Sequence, residues 1–262
     1  MSEQPGDSFP KGMQLTPFDA NFRDHPYEVL KSLRERAPVM HDDQFNRWYL
    51  TRWDDVRQIL RDKDMSADPR KANPDSFIAK ITALAGTNNA APSMLFMDDP
   101  DHRRVRGLVN KAFTLKAVEA LRPRVREIAT GVLAQIEDGE FDLRSSFAGV
   151  LPVIVIAEML GIDPADRDSF RRWSDVSVAA FFNPFRTQQQ SEAAAQAQME
   201  LDSYFRRMIE LRRATRGDDL ISAMVYAEEA GDHMTDQEIV TQCNLLLIAG
   251  NVTTTDLIGN GV

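Results

Sequence analysis

The stretch from Ile239 to Thr255, IVTQCNLLLIAGNVTTT, decides the fold of this chain. Apolar residues cover all sides of a helix in its middle, and such a helix is normally buried in the core of a larger fold. Thr235 and Glu238 mark its start as a capping box, in which each side chain accepts from a free backbone N–H group. We therefore predict a long, buried central helix from residue 235 onward. Because the chain ends at Val262 with no C-cap and no partner segment, we also expect it to be a fragment.

Within this helix, the run from Ala249 to Thr255 combines a glycine, Gly250, with three threonines. Glycine in a helix interior costs about 0.5–1 kcal/mol relative to alanine. Threonine can donate back to the carbonyl one turn earlier and bend the helix. A helix with this pattern can pass close over a flat ligand and offer it a proton donor. The alternative is a glycine that serves helix packing, beside threonines whose hydroxyls are already satisfied.

A second pattern, DDPDHRRVR, runs from Asp98 to Arg106. Proline at a first helical position with acidic residues around it is typical of a helix start. His102 and Arg106 are four residues apart, so they share one helix face and could both donate to carboxylates of a ligand. The alternative is a solvated basic face that balances the acidic helix start.

The whole sequence predicts a mainly α protein with a small mixed β-sheet near its N-terminus. Two strand-like runs around a polar turn predict a hairpin at 38–50. Residues 1–24 form a polar lead-in, and 64–94 form a proline-containing loop around a short helix. Apolar spacing predicts helices at 26–36, 53–60, 77–84, 100–112, 115–136, 145–160, 164–182, 187–214 and 218–229, before the central helix.

Composition excludes several classes of protein. The 262 residues carry a net charge of −9, which argues against a nucleic-acid partner, since phosphate binding needs a basic face. The N-terminus lacks the apolar region of a signal peptide, and no apolar run approaches the ~20 residues of a membrane span. Cys243 is the single cysteine, so neither an intrachain disulfide nor a multi-cysteine zinc site is possible. We expect a soluble, cytoplasmic protein without a membrane partner.

Several stretches together resemble bacterial cytochromes P450. FMDDPDHRRVRGLVNKAFT at 96–114 resembles their C-helix region, and LPVIVIAEMLGI with the later FRRW resembles the next helices. GDDLISAMVYAEEAGDHMTDQEIV, followed by LLLIAGNVTTT, resembles the approach to and centre of their I helix. WYLTRWDDVRQIL and DMSADPR match as well. The resemblance implies a cytochrome P450 fold in which 1–262 is the N-terminal part of a single domain, from the A helix through the I helix, with the C-terminal portion missing.

The resemblance also implies roles for individual residues. His102 and Arg106 would donate to the haem propionates. Ala249 and Gly250 would give dioxygen room, and Thr253 would help to deliver protons for cleavage of the O–O bond. The substrate pocket would be lined by Leu245, Ile248, Val252, Phe181, Phe182 and Met94, each of which could equally be plain core.

One departure concerns the residue before Thr253. The family usually carries an acidic residue there, and this chain has Val252, which cannot carry a proton. Asn251, Thr254 or Asp256, with ordered water, would substitute, so we include Asn251 among the candidate catalytic residues.

A second departure concerns the iron ligand. The family's thiolate cysteine and its Glu-x-x-Arg pair follow the I helix, so no residue of this chain is assigned as a metal ligand. Cys243 lies within the predicted I helix and is interpreted as a packed core thiol. The strings from Glu119 to Arg122 and from Glu210 to Arg213 precede that helix and are interpreted as surface pairs.

The implied function is that of a haem-thiolate monooxygenase with haem b in the full-length protein. It would oxidise a hydrophobic small molecule with O2 and electrons from a ferredoxin or flavodoxin. Arg103, Arg104 and Lys111 would face that donor, or are ordinary solvated cations. This chain alone would be inactive. The alternative is a non-catalytic, P450-like helical fragment that binds an apolar ligand or a protein partner.

Overall fold

The computed structural model describes residues 9–84, 92–183, 185–229 and 231–262, leaving out the side chains of a few residues inside these ranges, and it is mainly α-helical. Its contacts divide the chain into two compact units, Met1–Ala90 and Ala91–Val262. The prediction that residues 1–262 belong to a single domain stays a prediction.

In the described part of the first unit, the chain forms four α-helices and a two-stranded hairpin. The helices are α1 (Ala20–Asp24), α2 (Pro26–Arg36), α3 (Trp53–Ile59) and α4 (Phe77–Leu84), and the strands are β1 (Val39–Asp42) and β2 (Arg47–Leu50). The strands are antiparallel, with Val39 opposite Leu50 and Asp42 opposite Arg47. The predicted hairpin is therefore confirmed. The sheet was predicted to be mixed, but both strand pairs among the described residues are antiparallel.

A buried carboxylate holds this hairpin to the preceding chain. Asp42 is fully buried and accepts from the backbone N–H groups of Gly12, at 3.0 Å, and of Gln44, at 3.1 Å. The Nε of Arg47 donates to the same carboxylate at 3.3 Å. Buried charges are tolerated when they are paired and hydrogen-bonded in this way. Asp42 thus joins the hairpin to the short 3₁₀ turn Gly12–Leu15, which lies within the polar lead-in identified at 1–24.

The described part of the second unit contains seven α-helices, six of which contribute to one apolar core. They are α5 (Asp101–Ala112), α6 (Leu115–Leu133), α7 (Leu151–Met159), α8 (Arg167–Phe182), α9 (Gln188–Ala214), α10 (Leu220–Val225) and α11 (Asp236–Gly261). All of them correspond to predicted helices. Residues of α5, α7, α8, α9, α10 and α11 contribute buried side chains to this core.

The long helix α11 begins as predicted. The backbone N–H of Thr235 donates to Glu238 Oε2 at 2.8 Å, and the N–H of Glu238 donates to Thr235 Oγ1 at 3.2 Å. Its first half is buried, with Ile239, Cys243 and Leu247 fully inaccessible. The second half differs from the expectation of burial on all sides. From Ala249 onward, one side of the helix is exposed.

The predicted helix at 218–229 is shorter than expected. It ends at Val225 and is followed by a second small hairpin, β3 (Glu228–Glu229) and β4 (Asp232–His233). Gly231 has a φ of +84°, a left-handed conformation that glycine adopts without a steric penalty. This glycine permits the reversal that a helical pattern alone does not reveal.

Candidate functional site

The first candidate site residues lie on one face of α5. His102 is half-buried, with Nδ1 3.6 Å from Asp99 Oδ1. Asp99 binds Arg103 more closely, at 2.6 Å, and this interaction lowers the pKa of the Asp99 carboxyl. Arg106 is exposed and has neither a hydrogen bond nor an ion pair within the described part of the chain. His102 and Arg106 therefore have side-chain N–H groups that are largely free to donate hydrogen bonds to a ligand.

Arg104 has a different position from its neighbours. It forms ion pairs with Glu238 and, at 3.4 Å, with Asp232 Oδ2. The hydrogen bond that Arg104 donates to the Glu238 carboxylate raises the pKa of the Arg104 guanidinium. These contacts join α5 to the start of α11. Arg104 is therefore not a free surface cation, in contrast to Arg103, whose side chain is 82% exposed.

The second group of candidates lies on the exposed side of α11. Ala249 and Thr253 are both exposed and one turn apart. The Thr253 hydroxyl donates to the Ala249 carbonyl oxygen, as the sequence pattern suggested. The helix nevertheless continues as an α-helix from Asp236 to Gly261. The exposed side of α11 therefore presents a small residue beside a hydroxyl.

Gly250 faces α7. A Cβ added at this position would lie 2.7 Å from Cδ1 of Ile156, closer than real Cβ contacts allow. The glycine thus permits α7 and α11 to approach each other, which is the packing role that the sequence left open. Room for dioxygen stays a prediction, and the structure supports it at Ala249 rather than at Gly250.

Asn251 does not lie beside Thr253. Two residues along an α-helix are separated by about 200°, and Asn251 is only 6% exposed on the buried side of α11. Its Oδ1 accepts from Thr255 Oγ1 at 3.4 Å, and the same hydroxyl donates to the Ala148 carbonyl at 3.0 Å. The structure therefore does not bring Asn251 to the Thr253 hydroxyl, contrary to the role we expected.

The predicted substrate-lining residues fall into two groups. Leu245, Ile248 and Val252 are all half-buried and form one stripe along α11. The backbone N–H of Met94, which is half-buried, donates to Gln242 Oε1 at 3.2 Å, so Met94 does lie against α11. Phe181 is 47% exposed near the end of α8. The side chain of Phe182 and residues 85–91 of the predicted loop lie outside the described residues.

A residue that the sequence analysis did not single out lies near Val252. Asp175 and Val178 of α8 line a cavity of about 380 Å³ together with Asn251 and Val252 of α11. No motif surrounds Asp175 in the sequence. The position of Asp175 near Val252 depends on how α8 packs on α11, and the helical periodicity of the sequence does not predict that packing.

Cys243 is a core thiol, as interpreted from the sequence. It is fully buried in α11 and unpaired, and burial raises the pKa of its thiol. Because the thiolate is the reactive form, we expect alkylating reagents to modify Cys243 only after unfolding. Mass spectrometry after iodoacetamide treatment, with and without denaturant, measures this. Complete modification of the native protein would contradict the burial of this side chain.

The two early Glu-x-x-Arg strings have no part in the site. Arg122 pairs with Glu119 at 3.0 Å on the exposed surface of α6, as predicted. Arg213 donates to Asp236 at 3.1 Å, and no ion pair joins it to Glu210 among the described residues.

Comparison with known proteins places these features in a family. Cytochrome P450 107B1 of Saccharopolyspora erythraea is 36% identical over 255 residues, which are 95% of this chain and 61% of that protein. Vitamin D(3) 25-hydroxylase of Pseudonocardia autotrophica is 36% identical, over 94% of this chain and 59% of that protein. The crystal structure of CYP109E1 from Bacillus megaterium with testosterone superimposes with a TM-score of 0.76 at 34% identity, covering 90% of this chain and 58% of that one.

The chain is a partial bacterial cytochrome P450. It spans about 60% of the length of the P450s that it matches. No family model matches it. The predicted fold class, a mainly α P450 fold with a small β-sheet, is confirmed. Among the described helices, none has the length and apolar character that would let it cross a membrane.

The residues present fit the haem of a P450 in part. Arg106 offers unused donors on α5, and His102 has one weak contact. Thr253 and Ala249 leave an open side of α11 with a hydroxyl on it. Cys243 does not fit an iron ligand, because it is completely buried with a raised pKa. Within the described residues, no cluster of three His, Cys, Asp or Glu side chains could hold a metal ion.

Proposed function

We propose that the protein to which this chain belongs is a haem-thiolate monooxygenase. The observation that carries this proposal is the exposed side of α11, where Thr253 and Ala249 form a hydroxyl-bearing, small-residue surface in a P450 fold. In the proposed reaction, one oxygen atom of O2 enters a C–H bond and the other leaves as water. Two electrons and two protons balance this reaction.

The cofactor is haem b, which when bound supplies the activation of dioxygen. His102 and Arg106 would hold its propionates through charge-assisted hydrogen bonds. Thr253 would hold a proton at its Oγ1 for delivery to the O–O bond. Cys243 is not proposed as a ligand, so the thiolate is proposed to come from sequence outside this chain. By itself, the chain is expected to be inactive.

The substrate is proposed to be an apolar small molecule. The stripe of Leu245, Ile248 and Val252 offers it an apolar wall on α11. Two relatives support this class, since one is named for hydroxylation of vitamin D(3) and another was crystallised with testosterone. The electrons are proposed to come from a separate ferredoxin or flavodoxin. Neither nucleic acid nor membrane is proposed as a partner, and the cytoplasm is the proposed location.

Replacing the propionate donors tests the haem assignment. In the haem-loaded protein, we expect His102→Ala and Arg106→Ala each to weaken haem binding by about 10–100-fold, since a hydrogen bond to a charged group contributes about 1.5–3 kcal/mol. The rate of haem transfer to apomyoglobin measures this loss. Arg103→Ala is the matched control, because Arg103 lies on the same helix with its side chain 82% exposed. Haem loss that is equal in all three variants would contradict the assignment.

A further inference from the structure

The side of α11 that carries Asn251, Val252 and Thr255 borders an open cavity of about 380 Å³, and Thr253 is not among its lining residues. Its walls come from α8, from α11 and from the segment 142–149 that precedes α7. From α11, Asn251 and Val252 line it, and from α8, Asp175 and Val178 do so. Val252, the position at which P450s usually carry an acid, therefore lines the same cavity as a carboxyl group on another helix.

Asn251 contributes an amide donor to the cavity wall. The residue is 6% exposed, and its Oδ1 accepts from Thr255 at 3.4 Å. Its amide Nδ2 has no hydrogen-bond partner among the described residues. The cavity is large enough to hold water molecules that would accept from this donor.

The charged groups around Asp175 are few. Arg171 is on the same helix, and its Nε lies 3.9 Å from Asp175 Oδ2. The Arg171 side chain is 52% exposed. From the segment 142–149, Asp142 accepts from the backbone N–H of Ser145 at 2.9 Å, and Arg144 lies 3.8 Å from Asp256. The wall that α11 contributes carries no charged side chain, since its residues there are Asn251, Val252 and Thr255.

This environment alters the acidity of Asp175. Packing around the carboxyl raises its pKa, and the charge of Arg171 opposes the shift without cancelling it. The side chain is still 59% exposed, so it can exchange protons with solvent. A carboxyl group whose pKa moves towards the working pH is a better proton carrier than an ordinary aspartate.

We propose that Asp175 supplies, from α8, the proton-carrying carboxyl that α11 lacks at Val252. This inference rests on the proposed monooxygenase function. Asp175 takes a proton from solvent and passes it to water in the cavity beside Val252. From there, water that lies outside the cavity, alongside Val252, carries the proton to Thr253, the next residue of α11. One of the two protons consumed in each turnover follows this route, and solvent then reprotonates Asp175. Because Asp175 acts through water and Thr253, it is a positioning residue rather than a catalytic one.

Asp175→Asn in the haem-loaded, full-length protein tests this proposal. We expect the product formed per O2 consumed to fall by roughly tenfold, since a positioned proton donor contributes about 10²–10⁴-fold to a proton-transfer step. Asp175→Glu, which keeps a carboxyl group, should retain most of the product formed per O2 consumed. Val252→Asp, combined with Asp175→Asn, should also restore it, because the acid then returns to α11. Asp168→Asn is the matched control, since Asp168 is an exposed aspartate on α8 and does not line the cavity.

A second measurement does not depend on turnover. In NMR spectra of the reduced, CO-bound protein, the side-chain amide of Asn251 should shift with the titration of Asp175. That shift should be absent in Asp175→Asn and present in Asp168→Asn.

The outcomes separate the two proposals. Any of four results would overturn the role of Asp175. The first two are an unchanged product per O2 in Asp175→Asn and an equal loss in Asp168→Asn. The other two are failure of Val252→Asp to restore the product and an Asn251 amide signal that does not shift when Asp175 titrates. Absence of product from the unsubstituted protein would instead refute the monooxygenase function. The NMR titration would then still decide whether Asp175 and Asn251 communicate across the cavity.

Discussion

Replacement of Thr253 by alanine is expected to lower the product formed per O2 consumed by about tenfold or more. We propose that the lost hydroxyl serves proton transfer, and a positioned proton donor contributes about 10²–10⁴-fold to such a step. In the structure, this hydroxyl is on the exposed side of α11 and donates to the Ala249 carbonyl. Oxygen consumption should continue, and the missing product should appear as hydrogen peroxide. Parallel measurement of O2, peroxide and product in the haem-loaded protein gives the ratio.

Two variants make the Thr253 prediction specific. Thr253→Ser keeps a hydroxyl and should retain most of the product per O2. Thr254→Ala removes an exposed hydroxyl from the next position of α11 and should have little effect. Full retention of the ratio in Thr253→Ala would remove the proton-delivery role that we assign to this residue.

Gly250→Val is expected to destabilise the second unit by about 1–3 kcal/mol, the usual cost of overpacking a core. The added Cβ would lie 2.7 Å from Ile156 Cδ1, and the two γ-methyl groups require still more space between α7 and α11. Urea denaturation, followed by circular dichroism, measures the change in the free energy of unfolding.

The matched control for Gly250→Val is Gly259→Val. Gly259 lies in the same helix, and a Cβ there would meet no atom within 4 Å. Ile156→Val removes the atom nearest to the added Cβ, so the double variant with Gly250→Val should recover part of the loss. Equal destabilisation at both glycines, with no recovery, would show that the α7–α11 contact does not govern the effect.

Much of the fold could be predicted from the sequence, because the signals involved are local. The capping box at Thr235 and Glu238 fixes where α11 begins, and both hydrogen bonds are present. Apolar spacing located every helix of the second unit, since that spacing reflects which face is buried. The hairpin at β1 and β2 followed from two strand-like runs around a polar turn.

The remaining features depend on contacts between distant segments. In the sequence, Gly250 is equally consistent with space for a ligand and with close helix packing. The structure favours packing, because a Cβ at this position would clash with the Ile156 side chain. Asn251 was grouped with Thr253 because they are close in sequence, but the helix turns them to different sides. Asp175 is not part of any sequence motif. It became a candidate only because α8 and α11 place it on the same cavity as Val252.

The site itself was predicted mainly through family resemblance. On spacing alone, His102 and Arg106 could have been a solvated basic face. The structure shows that Arg106 is unpaired among the described residues, whereas Arg104, two positions earlier, is tied to Glu238 and Asp232. Sequence spacing cannot separate these arginines, because the partners of Arg104 lie more than a hundred residues away along the chain.

The reduced, CO-bound absorbance difference spectrum of the protein from its complete reading frame tests the central claim most directly. We predict the long-wavelength Soret band that is characteristic of a thiolate-ligated P450. Cys243→Ser should leave that band unchanged, because Cys243 is a buried core thiol of α11. A spectrum without haem, or loss of the thiolate band in Cys243→Ser, would contradict the account.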